Sequence, residues 1–214
     1  MKKLVPLTVI LALVVCSFLS LCPTVHAAGT TIDDTHLLYA EYSKIINEAN
    51  KLYGINLSLL PYSELKDFCS AEEFALLVEQ YCEARTANFA TDDNLTLVPP
   101  TTRGVGVVTV PNVKTKTYAE DTILITFYGT FDVRRNLNGD YYINSQSFII
   151  YTQSTNGIVS FNVNGNPTYS VADRGRTTVV TQNFAVSIRG YFEDYVSVSA
   201  SFYLSPATGN ISAI

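Results

Sequence analysis

Hydrophobic positions in this chain recur with two different periods. From about residue 36 to residue 85 they return every three or four residues, and after Gly104 they return every second residue. The first spacing lays apolar side chains along one stripe of a helix. The second places them on one face of a strand, because successive strand side chains point to opposite sides. The pattern therefore predicts a helical opening followed by a long β half.

The β half is organised around Thr122–Val133. One register reads Ile123, Ile125, Phe127, Gly129, Phe131, Val133, and the other Thr122, Leu124, Thr126, Tyr128, Thr130, Asp132. One face is apolar and the other largely hydroxylated, so a second layer must cover the apolar side. Val180, Phe184, Val186 and Ile188, then Val196, Val198, Ala200, Phe202 and Leu204, supply one. Further strands are predicted at Val105–Val110 (closed by Pro111), Lys114–Ala119, Tyr141–Gln153, Ile158–Val163 and Thr168–Val171. A last one follows at Asn210–Ile214. The hydrophobes of Tyr141–Gln153 change register, which predicts a bulge near Ser145–Ser147. Asn138-Gly139 and Asn156-Gly157 are hairpin signals, and Asn164-Gly165-Asn166-Pro167 reads as another turn. Turns every 8 to 14 residues or so, with no helix-length crossover between strands, point to an antiparallel sandwich or barrel. The fold class is α+β, mainly β, with two amphipathic helices ahead of an antiparallel β-sandwich or barrel-like part.

The first helix is expected to start around Asp33-Asp34-Thr35, bury Leu38, Tyr42, Ile45, Ile46, Ala49, Leu52 and Tyr53, and stop at Gly54. A short extended piece at Ile55–Leu60 and one turn around Ser63–Phe68 follow. Ser70-Ala71-Glu72-Glu73 is a capping box that opens a second helix to about Arg85, with Phe74, Leu77, Val78, Tyr81 and Cys82 on one side. Two such helices are too small to be stable alone, so they are expected to pack on each other and on the β half.

Lys2 and Lys3 precede an apolar run to Leu21, and Val25-His26-Ala27 fits a signal peptidase site. The expectation is a cleaved secretory signal over residues 1–27, of bacterial type, and a secreted, extracellular product. The remaining organisation is a helical segment over 28–90, a linker over 91–104 rich in Asp, Pro and Thr, and a β-sandwich domain over 105–214. Removing 27 of the 214 residues leaves 187, with no apolar stretch long enough for a stable membrane span. It also moves the net charge from −5 to −7, since two lysines leave. An acidic chain without a basic run is a poor partner for nucleic acid or anionic membranes.

Of the four cysteines, Cys69 and Cys82 remain after cleavage. Thirteen residues along a helix rise about 19 Å, far beyond disulfide reach, so these two are expected to stay unpaired. One histidine remains as well, His36 at a helix start, where it is expected to be an exposed side chain. No nucleophile motif, zinc spacing, Walker loop or dinucleotide fingerprint occurs, so no catalytic residue, metal or cofactor is assigned. Carboxylate pairs drawn from Glu120, Asp121, Asp132, Asp140, Asp173, Glu193 and Asp194 could serve glycoside hydrolysis, though Asp140, Asp173 and Asp194 fall where turns want Asp. A pore-forming hairpin within Ile158–Val171 is interrupted by Gly165 and Pro167.

Fourteen tyrosines and no tryptophan distinguish the composition. Tyr128, Tyr195 and Tyr203 fall in the hydroxyl registers and mark a candidate ligand-facing surface for a glycan or a peptide. The functional expectation is an extracellular binding or interaction module. The alternatives are a secreted glycosidase-like hydrolase with paired carboxylates and a structural accessory protein.

Overall fold

A computed structural model describes residues 32–91, 105–118 and 120–214. The expected signal over residues 1–27 and nearly all of the expected linker over 91–104 lie outside the described residues. The fold is α+β and mainly β, as the two periods predict. The chain divides into two compact units. Of the described residues, one takes those up to Thr86 together with Gly190–Glu193, the other Ala87–Arg189 with Asp194–Ile214.

The first unit holds α1 (Ile32–Tyr53), the two-residue strand β1 (Ser58–Leu59), a 3-10 turn at Tyr62–Glu64 and α2 (Ala71–Thr86). Gly54 ends α1 at φ +66°, with its amide on the Asn50 carbonyl at 3.0 Å. The capping box closes as predicted: the Glu73 amide donates to Ser70 Oγ at 3.2 Å, and the Ser70 amide donates to Glu73 Oε2 at 3.1 Å. Tyr42, Ile45, Ile46 and Ala49 meet Phe74, Val78, Tyr81 and Cys82 in a buried core, whereas Leu52 of the expected stripe is exposed. Tyr42 stacks on Phe74 at 4.0 Å between ring centroids. Tyr191 then meets both rings edge-on, and Phe192 meets Phe74 and Tyr81. Aromatic residues from a distant turn thus complete the helical core. Cys69 precedes α2 and Cys82 is buried in it, and the two do not form a disulfide.

The second unit contains two antiparallel sheets. In one, β2 (Ala90–Thr91), β3 (Gly106–Tyr118), β4 (Asp121–Arg135) and β5 (Tyr141–Ser154) pair in that order. In the other, β6 (Val159–Ala172), β7 (Thr177–Ile188) and β8 (Phe192–Leu204) are neighbours, and β9 (Ile211–Ala213) adds to β8. The start of β8, at Phe192 and Glu193, pairs with β1 inside the first unit. Ile123, Ile125, Phe127, Phe131 and Val133 are buried against Phe184, Val186, Val198, Phe202 and Leu204. Phe131 and Phe202 touch across the layers at 5.3 Å. Gly129 is required in this row. A Cβ there would lie 2.5 Å from the Phe131 ring and 3.2 Å from Phe202.

Two expected strand breaks are absent, and one bulge is displaced. Val105–Val110 and Lys114–Ala119 are one strand, β3, running through Pro111. Among the described residues β2 pairs β3 only at Thr115 and Lys114, so Pro111 sits where the strand is an edge and no second ladder needs its missing amide. The polar half of β3 is not an outer face. Asn112, Lys114 and Lys116 point inward and are buried, with Lys116 Nζ donating to the Ala87 carbonyl and lying 4.8 Å from the Phe89 ring centroid. Likewise Asn164–Pro167 does not reverse the chain. It is a bulge within β6, three residues opposite Gln182 of β7. The β5 bulge falls on Asn144, one residue before the expected stretch, because Ser145 pairs with Asp132 and Ile143 with Val133. That extra residue returns Ile143 to the same face as Gln146, Phe148 and Ile150.

Candidate functional site

The outward register of β4 is flanked by the outward registers of its two neighbours. Tyr128 lies between Pro111 of β3 and Ile149 of β5, Thr126 between Val113 and Tyr151, and Thr130 between Thr109 and Ser147. Thr109, Thr126, Tyr128, Thr130, Ile149 and Tyr151 line an open depression of about 820 Å³ that also takes in Leu124, Thr152 and Gln153. Tyr128 and Tyr151 meet edge to face at 5.7 Å and 82°. The pairing fixes the tilt of Tyr128 and leaves Tyr151, 60% exposed, as the raised wall. Thr109 and Thr130 share a hydrogen bond at 3.0 Å between their hydroxyls. Among the described residues no charged side chain lines the depression. Its chemistry is two aromatic rings, Ile149 and Leu124, and a set of neutral hydroxyl and amide groups.

Of the three tyrosines marked in the sequence, only Tyr128 belongs here. Tyr195 and Tyr203 lie on β8, in the other sheet, in the register opposite the buried row of Val196 to Leu204. The three do not form one surface. Even Tyr195 and Tyr203 stand eight residues apart along one strand, about 26 Å. Shared register gives a shared face only within one sheet, and two stacked sheets have two outer faces. Tyr151, Ile149 and Gln153, absent from the sequence-based selection, complete the depression. Their signal was the alternation of Ile149, Tyr151 and Gln153 against Phe148, Ile150 and Thr152.

Four of the seven carboxylates that could have served hydrolysis, Asp121, Asp132, Asp173 and Asp194, hold structural hydrogen bonds. Asp121, fully buried, accepts hydrogen bonds from Ser154 Oγ, from the amide and hydroxyl of Thr155, and from the amides of Asn156 and Val159. Burial by itself would raise this carboxyl, but the bonds from Ser154, Val159, Asn156 and Thr155 outweigh it and hold it at about 2. Asp132 is lowered by Asn144 Nδ2 first and by the adjacent Arg134 next. Asp173 accepts from Thr177 Oγ1 at 2.7 Å, and Asp194 from the Tyr195 amide. Among the described residues no group of three or more His, Cys, Asp or Glu side chains could hold a metal ion. His36 is exposed and stacks on Tyr62 at 4.1 Å. No described helix is long and apolar enough to cross a membrane.

Comparison of the chain with known protein families, with curated proteins and with solved structures finds no match.

Proposed function

We propose that this protein is an exported binding module that takes a neutral glycan along the outer face of β3, β4 and β5. The Tyr128–Tyr151 pair above an uncharged, hydroxyl-lined depression carries the reading. Pyranose rings present apolar C–H faces that rest on aromatic rings, while their hydroxyls exchange hydrogen bonds with threonine and glutamine side chains. The absence of charge in the depression favours a neutral sugar over an acidic one. A peptide would leave its amides without fixed partners, because the backbone of a central strand such as β4 is already paired on both sides. The lysine-opened apolar start of the chain supports export, and an open face suits a long external polymer.

A neutral-glycan array followed by calorimetry tests this. Tyr151→Ala and Tyr128→Ala are each expected to weaken binding about 10-fold, the equivalent of about 1.4 kcal/mol, with the far-UV dichroism unchanged. Tyr195→Ala is expected to bind as the parent does. Loss of affinity in Tyr195→Ala with none in Tyr151→Ala, or an array without a single neutral ligand, would reject the site.

A further inference from the structure

From Tyr141 to Ala172 the chain contains no Asp, Glu, Lys, Arg or His. These 32 residues are β5, β6 and the turn between them, and β5 and β6 are the terminal strands of the two sheets. Exposed strand edges are usually guarded by charge, since an unguarded row of amides and carbonyls pairs with any strand that meets it. The edge at β3 has such guards in the inward-pointing Lys114 and Lys116, and β2 covers part of it. Among the described residues the edge at β6 has only its bulge. Beyond that bulge Thr168–Ala172 is regular strand, paired to β7 on one side, with every side chain exposed. Tyr169 and Val171 belong to the row that faces the core on β7, opposite Val180 and Thr178, yet they are 58% and 54% exposed. They border a groove of about 330 Å³ beside Ile143 and Gln146 of β5.

We infer that Thr168–Ala172 is a homodimer edge, on which β6 pairs antiparallel with β6 of a second copy about a two-fold axis at Ser170. The segment is self-complementary about that centre. Tyr169 faces Val171 of the other copy and Val171 faces its Tyr169, an aromatic and β-branched pair on the core-facing side. On the other side Ser170 faces its own copy and Thr168 faces Ala172, small neutral residues throughout. Charge selects the occupant: a strand bearing an ionised side chain on this neutral edge would lose hydration without a partner, whereas β6 itself brings none. Pairing stops at Asp173 on one side and Pro167 on the other. The contact is therefore short and the dimer weak. It continues the β6–β9 sheet across the axis and leaves the outer face of β3 to β5 open.

Sedimentation of the purified protein from about 1 to 500 μM is expected to show a reversible monomer–dimer equilibrium. Ser170→Lys and Ser170→Asp each set two like charges face to face across the axis, and each is expected to weaken the dimer about 10-fold or more, with the melting temperature of the monomer unchanged. An equimolar mixture of the two is expected to restore association as a heterodimer, and amide exchange at Tyr169 and Val171 should slow as concentration rises. A protein monomeric throughout overturns the inference. So does a dimer that both substitutions leave intact, or a mixture that fails to restore one. Capture of an uncharged peptide by a chain that stays monomeric overturns it equally.

Discussion

The carboxylate of Asp121 accepts a hydrogen bond at 2.9 Å from the amide of Val159, a residue 38 positions away. Asp121 opens β4 and Val159 opens β6, so one side chain fastens the first residue of one sheet's central strand to the first residue of the other sheet's edge strand. Its other four bonds organise the Ser154–Gly157 turn between them. Asp121→Ala leaves those donors buried without an acceptor and is expected to cost about 2–4 kcal/mol in urea unfolding.

The same carboxylate sets an acid limit. In the folded chain its value is about 2 against an ordinary 3.8. The unfolded chain therefore takes up the proton first. Asp121 contributes its full stabilisation above about pH 4, and that contribution is lost as the pH falls toward 2. The linkage is worth about 2 kcal/mol. Chemical unfolding measured between pH 5 and 2, at about half-unit steps, should show the parent losing stability faster than Asp121→Asn. Parallel slopes would remove Asp121 as the cause.

Much of this fold was legible because the core rows alternate without interruption. Ile123 to Val133 and Val196 to Leu204 bury the residues their period names. Other features were hidden, each for a physical reason. Asp121 reads as one more polar residue at a strand end, since its donors come from residues 154–159 and only the folded topology brings them near. Nothing in the local pattern marks Lys114 and Lys116 as buried, since charge usually faces solvent, yet here the ring of Phe89 and the carbonyl of Ala87 receive Lys116. The candidate surface was half legible. Tyr128 stood out in its register, while the residues that build a depression beside it come from β5, and register alone does not say which strands adjoin.

Gly129 offers a test of core packing that leaves the outer face untouched. Its absent Cβ is the space the Phe131 ring fills. Gly129→Ala should destabilise by about 1–3 kcal/mol through overpacking, despite the better strand propensity of alanine. Adding Phe131→Leu should recover part of that loss, since it removes the obstructing ring. A double-mutant cycle with strictly additive costs would show that the two sites do not share the space.

Tyr42 gives the helical unit an alkaline limit. Burial first, and then its hydrogen bond to the Cys69 thiol, raise its hydroxyl well above the usual tyrosine range. The unfolded chain loses this proton near pH 10 while the folded one keeps it. Its contribution is complete below about pH 10 and declines above it. Tyrosinate absorbance should therefore show one group that ionises only as the helical dichroism collapses. Tyr42→Phe should abolish that late group and flatten the alkaline loss of stability. It should also cost about 1 kcal/mol at neutral pH for the bond to the Cys69 carbonyl.

Gln182 determines whether β6 can carry its bulge. The bulge begins after Asn164, the last residue before it that pairs with β7, so the carbonyls of Asn164 and Gly165 stand at its start. Gln182 Nε2 reaches them at 3.1 and 3.2 Å, and the Asn183 carbonyl at 2.8 Å. Turning the amide over would aim Oε1 at three carbonyl oxygens, so this orientation is forced, and it leaves Oε1 buried without a partner among the described residues. Gln182→Leu retains most of the volume but supplies no donor, and is expected to cost about 1–3 kcal/mol. Gln182→Glu keeps the shape and replaces the donor with an acceptor. That variant should be worst at neutral pH, where ionisation faces its charge against the carbonyls, and should regain stability in acid as protonation restores one donor. Urea unfolding at pH 7 and pH 5, with amide exchange read at Gly165 and Thr168, separates the cases. Equal stability of the Leu and Glu variants at both values would mean that the bulge holds its shape without Gln182.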